Sequence, residues 1–521
     1  MTSDYIMIFK ITAGAVAFRN PQILAVDAKM VTLDRVLTNL FMLIYGNGAP
    51  VKIKSSKEDV TIESICQKNI ADLEANGRIS GASEYPEAVS DWLRSSLLDL
   101  VNRGNRLKES VASLRPIHIL SFRIQNKKKC RDYNTADQLF AMLKTSPDTL
   151  SALKRYLSVG WNGKMIDPEA IKDVDTAGVM LLTSGIKDVQ SANENVSDIK
   201  PLLKGATDIF NDDVRRLLAY KDALPRAVFI DYLKILCGFH LAIYTMRVVT
   251  LLPKMVAAGT TNVEDDWSMV VDLTDNKDSK TAEMARQDIE RLFNCFRPYI
   301  NATYAIDIVQ KNLPKEAGIE QALAIIKSGP DQNKAEALLE VIREGLRGRD
   351  ESSFDTADFD ELMKFYLPDD YFGKLVHLLE VSNLGDSAYR YLIQFIDAVA
   401  MKNSPSMLIA DGRTRSCKRR GVLGAKLLET LVQLLVLNDK GDGSFESRPI
   451  SLADLTLALR NRYGLIINGL EEPRFAGAGI DAYAAFAENA EALKNRLRQI
   501  GFYTDLSDAC ILQRIRPRYK L

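Results

Sequence analysis

The residues with the clearest chemical potential lie at the carboxyl end of this 521-residue chain. Arg514, Arg516, Arg518 and Lys520 alternate with uncharged residues in QRIRPRYKL. Successive side chains of an extended strand point to opposite faces, so this spacing predicts one row of positive charge on one side. Pro517 marks that strand as an edge. Lys494, Arg496 and Arg498 sit on a helical stretch upstream, and Arg460 and Arg462 on another. A one-sided set of cations suits a phosphate backbone, because each neutralised phosphate releases counterions and no base has to be read. The expected chemistry is contact with double-stranded DNA through these side chains. The competing expectation is a purely structural or protein-docking role, since basic edge strands also block strand-to-strand aggregation and fold alone does not fix function.

Four consecutive signals would position those cations. Val422 to Leu437 is apolar on nearly every face except at Lys426, Glu429, Thr430 and Gln433, which predicts a buried first helix. The run NDKGDGSFESRP reads as a loop broken by Gly441, Gly443 and Pro449. Ser451 and Asp454 form a capping box opening a second helix, whose seam of Leu452, Leu455 and Leu459 leaves Arg460 and Arg462 in solvent. A third helix carries Tyr483, Phe486, Ala490, Leu493, Leu497 and Ile500 as one stripe, and Gly501 ends it as a left-handed cap. The remainder reads as two short strands around a turn at Ser507 and Asp508. Helix, helix, helix, hairpin is the winged-helix order, expected over 413–521.

Charge is unevenly spread. Arg413 to Leu521 holds 18 Lys plus Arg against 12 Asp plus Glu, a surplus of six, and the whole chain has 68 of each, so the preceding part carries 50 against 56. The neutral total conceals a polar molecule. Two further basic clusters could touch a polyanion or be solvated loops. One is RTRSCKRR, with Arg413, Arg415, Lys418, Arg419 and Arg420; the other is the turn NKKKCRD, with Lys127, Lys128, Lys129 and Arg131.

Several function classes are excluded or disfavoured by what the sequence lacks. No phosphate-cradling glycine loop, nucleophile elbow or zinc-protease motif is present. Six cysteines and three histidines are scattered without metal-ligand spacing, so neither metal nor cofactor is expected. His240, with Cys237 three residues before it, reads as a hydrogen-bonded core histidine. The acidic segment VEDDWSMVVDLTDNKDS does not fit a calcium loop, and a divergent metal nuclease using Asp272 is the weakest reading. The chain is expected not to be an enzyme.

The opening MTSDYIMIFK lacks the pattern of a secretory signal, and no charge-free run is long enough to span a bilayer, so a cytoplasmic protein without membrane contact is expected. The long apolar stretch Leu224 to Gly259 is interrupted by Asp231, Lys234, His240 and Arg247 and predicts a central core helix kinked or ended at Pro253. AVSDWLRSSLLDLVNRGNRL reads as an amphipathic helix, and HILSFRIQ as a strand. The fold class is mainly α, a multi-domain helical scaffold with a few short strands. Its expected parts are an α+β domain over 1–190, a helical domain over 191–350, a helical connector over 351–412 and the winged helix.

The helical body around LPRAVFIDYLKILCGFHLAIYTMRVVTLLP, followed by ISLADLTLALRNRYGLII and LKNRLRQIGFYTDLSDA, resembles the accessory, non-ATPase subunits of multigene bacterial anti-phage defence clusters, of methylation-associated or phosphorothioate-dependent type. The resemblance is architectural and covers the latter part of the chain. It implies a subunit that works beside ATPase or nuclease subunits and helps the complex engage DNA. It transfers no catalytic residue.

Overall fold

A helix that is apolar all round must be enclosed by other elements. In the computed structural model of the chain, Arg226–Ala258 is one helix with buried residues on every face between Phe229 and Met255. It is the one helix among the described residues long and apolar enough to cross a membrane, and 94% of that apolar stretch is buried inside the protein. The described residues are 19–49, 51–53, 60–105, 107–186, 188–190, 199–312, 318–346, 356–364, 370–381, 383–401, 403–412, 417–503 and 514–521. Of the two outcomes expected at Pro253, a kink or an end, the helix does not end there; it continues to Ala258 and stops at Gly259, whose φ of 77° is left-handed. Proline removes its own N–H from the ladder and crowds the carbonyl four residues back, and the buried packing on either side of Pro253 holds the helix continuous.

Around this axis pack Leu33–Tyr45, Lys204–Ala219, Phe296–Asn312, Ile319–Ser328, Asn383–Ala400 and Ala425–Leu435. The fold is mainly helical, with short strands in pairs. One apolar cluster runs from Ile23 to Ile515 and draws buried residues from all four segments anticipated in the sequence, among them Phe41, Leu241, Leu375 and Leu459. The segments therefore share a core.

A smaller cluster near the amino end joins Leu93, Leu97, Val111, Leu114, Val179 and Leu182. Here the antiparallel pair Leu98–Val101 and Ser110–Leu114 replaces the second half of the expected amphipathic helix, which stops at Leu97. Strand pairing outweighs local helical pattern at this point. The stretch expected as a strand is instead a 3-10 turn, Ile119–Arg123, with all five residues buried. A run buried on every side has no alternation to distinguish strand from helix. Antiparallel pairing of Val51–Ile53 with Asp188–Gln190 closes this part.

The carboxyl-terminal helices appear where periodicity places them, as Ala425–Leu435, Leu452–Tyr463 and Ile480–Gln499. Ser451 and Asp454 make the reciprocal capping box, and Gly501 is left-handed at φ 82°. A hairpin also lies between the first two helices: Leu437–Asp439 pairs with Phe445–Ser447 across the glycine-containing run read as a loop. The turn expected at Ser507 and Asp508 lies outside the described residues.

The acidic segment threads into this region. Met269–Val270 runs parallel to Leu465–Ile466, and Asp272 bridges Val422, which follows the antiparallel pair Ile409–Ala410 and Arg420–Gly421. A satellite apolar cluster of Val270, Met284, Ile466, Ala482 and Phe486 seals the junction.

Candidate nucleic-acid interface

The final residues lie along the carboxyl-terminal helices, bridged at Ile515 and bent at Arg518 and Tyr519. Ile515 exchanges both backbone hydrogen bonds with Ile450, at 2.8 and 3.1 Å. Farther on, the fully buried Gln433 accepts from the Arg518 N–H at 3.1 Å and donates to the Tyr519 carbonyl at 3.0 Å. Leu521 N–H donates to Ser447 Oγ at 3.0 Å. Held this way, the segment alternates: Ile515 is buried, Pro517 and Tyr519 are half-buried, and Arg514, Arg516, Arg518 and Lys520 are exposed. Gln433 was legible only as a polar interruption of the first helix; its role as a backbone clamp depends on a segment about 85 residues away.

The cations divide into two groups. Arg514, Arg516 and Lys520 have no ion pair among the described residues. The others are tied to the protein itself. Arg518 pairs with Glu429, donates to the Ile500 carbonyl and lies over the Phe502 ring. Arg496 reaches the Leu273 carbonyl at 3.0 Å, the Leu423 carbonyl at 3.2 Å and Asp275 at 2.9 Å. Lys494 and Arg498 share Glu491, at 3.6 and 3.7 Å, and both lie over the Tyr503 ring. Arg460 pairs with Glu472.

Arg462 departs furthest from expectation. Instead of standing in solvent, it donates to Asp213 at 2.6 and 3.0 Å and to Asp212 at 2.7 Å. Asp213, fully buried, also accepts from Tyr463 Oη at 2.9 and 3.1 Å and lies 2.8 Å from His240 Nε2. Burial pushes the His240 pKa down while Asp213 pulls the other way, and burial followed by the neighbouring Asp213 holds the Tyr463 hydroxyl protonated. Burial acts to raise the Asp212 carboxyl, but hydrogen bonds from Arg216 and Arg215 outweigh it and bring the pKa down to about 2. His240 is thus the hydrogen-bonded core histidine that the sequence suggested. The correction for Arg462 follows from its surroundings: from the end of its helix it reaches the Lys204–Ala219 helix, where Asp212 and Asp213 accept its hydrogen bonds.

The other basic clusters differ from one another. Lys418 pairs with Glu290, Arg419 with Asp397 at 2.6 Å, and Arg420 with both Asp272 and Asp411. Arg413 and Arg415 lie outside the described residues. In the turn near the amino end, Lys127, Lys128 and Arg131 are exposed and Lys129 is half-buried.

Asp272 does not stand as a metal ligand. It is 1% exposed, faces Arg420, and accepts from the Thr274 N–H and hydroxyl at 3.0 and 2.8 Å. Its acidic neighbours serve as struts, Asp265 to Arg247 and Asp266 to Lys254, each at 2.7 Å. Among the described residues no group of three or more His, Cys, Asp or Glu is arranged to hold a metal ion.

Asn489 was missed in the sequence, where the neighbouring Ala490 was assigned to the buried stripe. Fully buried, it accepts from Leu273 N–H at 2.8 Å and donates to the Val271 and Ile467 carbonyls at 2.8 and 2.9 Å. One amide side chain thus satisfies the ends of both parallel strands. An Asn amid Leu, Phe and Ala at helical spacing is the signal that could have found it.

The family model described as methylation-associated defense system protein MAD7 matches residues 14–519. No curated protein matches the chain. The match extends well beyond the part that carried the resemblance read from the sequence. The chain belongs to the MAD7 family of methylation-associated defense system proteins.

Proposed function

We propose that this protein is an accessory subunit of a methylation-associated defence complex in the cytoplasm, one that docks its partners on a helical body and touches duplex DNA with the exposed row Arg514, Arg516 and Lys520. The observation that carries the DNA contact is the alternation around buried Ile515, which leaves these cations exposed and without internal carboxylate partners among the described residues. Phosphate contact of this kind is independent of base sequence. The winged-helix reading of the module belongs to the same proposal.

The test is duplex-DNA affinity of the full chain over a salt series. Replacing Arg514, Arg516 and Lys520 with alanine lowers the slope of log K against log salt by about 0.9 for each phosphate that is no longer neutralised. An unchanged slope overturns the assignment. A second reading, a purely protein-binding assembly subunit, is favoured by the inward pairing of Arg460, Arg462, Arg496 and Arg518. Co-purification with the other proteins of the system, combined with absence of DNA binding at low salt, would establish it.

A further inference from the structure

The turn Asn126–Arg131 is built as a rigid cationic projection. Asn126, 7% exposed, donates its N–H to the Ala112 carbonyl at 2.7 Å and accepts from Lys128 N–H on its side chain at 3.0 Å. Its carbonyl takes the Lys129 and Cys130 N–H groups at 2.9 and 2.8 Å. From the Leu33–Tyr45 helix, Asn39 donates to the Cys130 carbonyl at 3.0 Å, and Cys130 is itself buried. Both ends of the turn are therefore pinned to the core, and Lys127, Lys128 and Arg131 have nowhere to go but outward.

Nearby carboxylates are committed elsewhere. Asp132 accepts from the Ala136 N–H at 2.9 Å, and Asp99 pairs with Arg35 at 2.9 Å. Lys127, Lys128 and Arg131 have no ion pair among the described residues. Two residues on, Tyr133 stacks beneath Lys29, whose ammonium lies 5.2 Å from the ring centroid and adds a further positive charge beside the turn. A surface cation held by a carboxylate is already neutralised; these are not.

We propose that this turn is a second phosphate-binding surface, one that takes the sugar–phosphate backbone of a nucleic acid through Lys127, Lys128 and Arg131. It stands independently of the C-terminal row. A nucleic acid fits better than an acidic protein because the centres of protein interfaces are depleted of lysine and rely on apolar and aromatic anchors, whereas phosphate contacts are made by Lys and Arg. Within the turn the only apolar side chain, Cys130, faces inward. Pre-ordering the backbone also removes an entropic cost of binding.

The experiment compares the full chain with K127A/K128A/R131A and, separately, R514A/R516A/K520A, in fluorescence anisotropy with labelled duplex DNA, single-stranded DNA and RNA over a salt series. The expected result for the turn variant is a salt slope lower by about 2.7 on duplex DNA, at about 0.9 per phosphate, or by about 2.1 on a single strand, at about 0.7 per phosphate, with a thermal melt matching the parent. K127R/K128R should retain binding. The inference is overturned if the turn variant binds all three like the parent, or if only the C-terminal variant loses affinity. No binding by the parent at low salt overturns it too, while leaving the assembly reading to be judged by co-purification.

Discussion

Arg462 and Asp213, 249 positions apart in the chain, meet at 2.6 Å and tie the end of the Leu452–Tyr463 helix to Lys204–Ala219. The pairing converts an expected DNA ligand into an internal brace. It also sets what each side chain is worth, because a charge pair out of water answers to different energetics from one at the surface.

Arg462→Ala leaves Asp213 buried with only neutral hydrogen-bonding partners. Breaking a buried pair from one side costs about 3–5 kcal/mol. Arg460→Ala, which removes a side chain 43% exposed in its pair with Glu472, should cost no more than about 1 kcal/mol. Urea denaturation of the two variants measures the contrast; equal losses would contradict the bracing role.

Asn489→Ala strips a partner from the Leu273 N–H and the Val271 and Ile467 carbonyls in a buried site. Each buried polar group left unsatisfied costs about 1–3 kcal/mol. A loss of stability larger than that of Ala485→Gly on the same helix face is expected, read as a shift in denaturation midpoint.

His118 is held neutral, since burial takes its pKa down to about 3 with repulsion from Arg226 adding to the effect. The unfolded chain takes up the proton near the ordinary value of about 6.5. The unfolded state therefore binds more protons below that pH, and the stability from neutral His118 is complete above it and lost as pH falls toward 3. His118→Asn keeps an acceptor for the Leu120 N–H and should flatten the acid-side slope by about 1.4 kcal/mol per pH unit. An unaltered slope would count against this.

Asp307 runs the other way. Burial raises its pKa to about 6, against the opposing pull of Lys311 and the hydrogen bond from Asn20. A carboxyl raised above its unfolded value of about 3.9 contributes stability at low pH that disappears as pH climbs through 6. Asp307→Asn should therefore gain stability relative to the parent between pH 4 and 7, measured as the difference in thermal midpoints across that range. A constant difference would refute it.

Local pattern decided a great deal. The Ser451–Asp454 box opens its helix, Gly501 closes another, His240 lies hydrogen-bonded in the core, and the alternation at Arg514, Ile515 and Arg516 separates outside from inside. These features depend on neighbours within a few residues, which the sequence displays directly. The hairpin between Leu437 and Ser447 was less legible, because its loop residues serve equally as a hairpin turn.

What the tertiary structure alone decided is which charges remain available. A cation reads the same in sequence whether its counterion is water, phosphate or a carboxylate hundreds of positions away. Arg462 found Asp213, Arg496 found Asp275, and Arg420 found Asp272, each across a packed junction that no periodicity encodes. Lys127 and Lys128, which by spacing could touch a polyanion or be a solvated loop, stayed exposed because the backbone beneath them is anchored by Asn39 and Asn126. Coulomb energy depends on distance and burial in three dimensions, so the sequence supplied the inventory of charge and the fold supplied its partners.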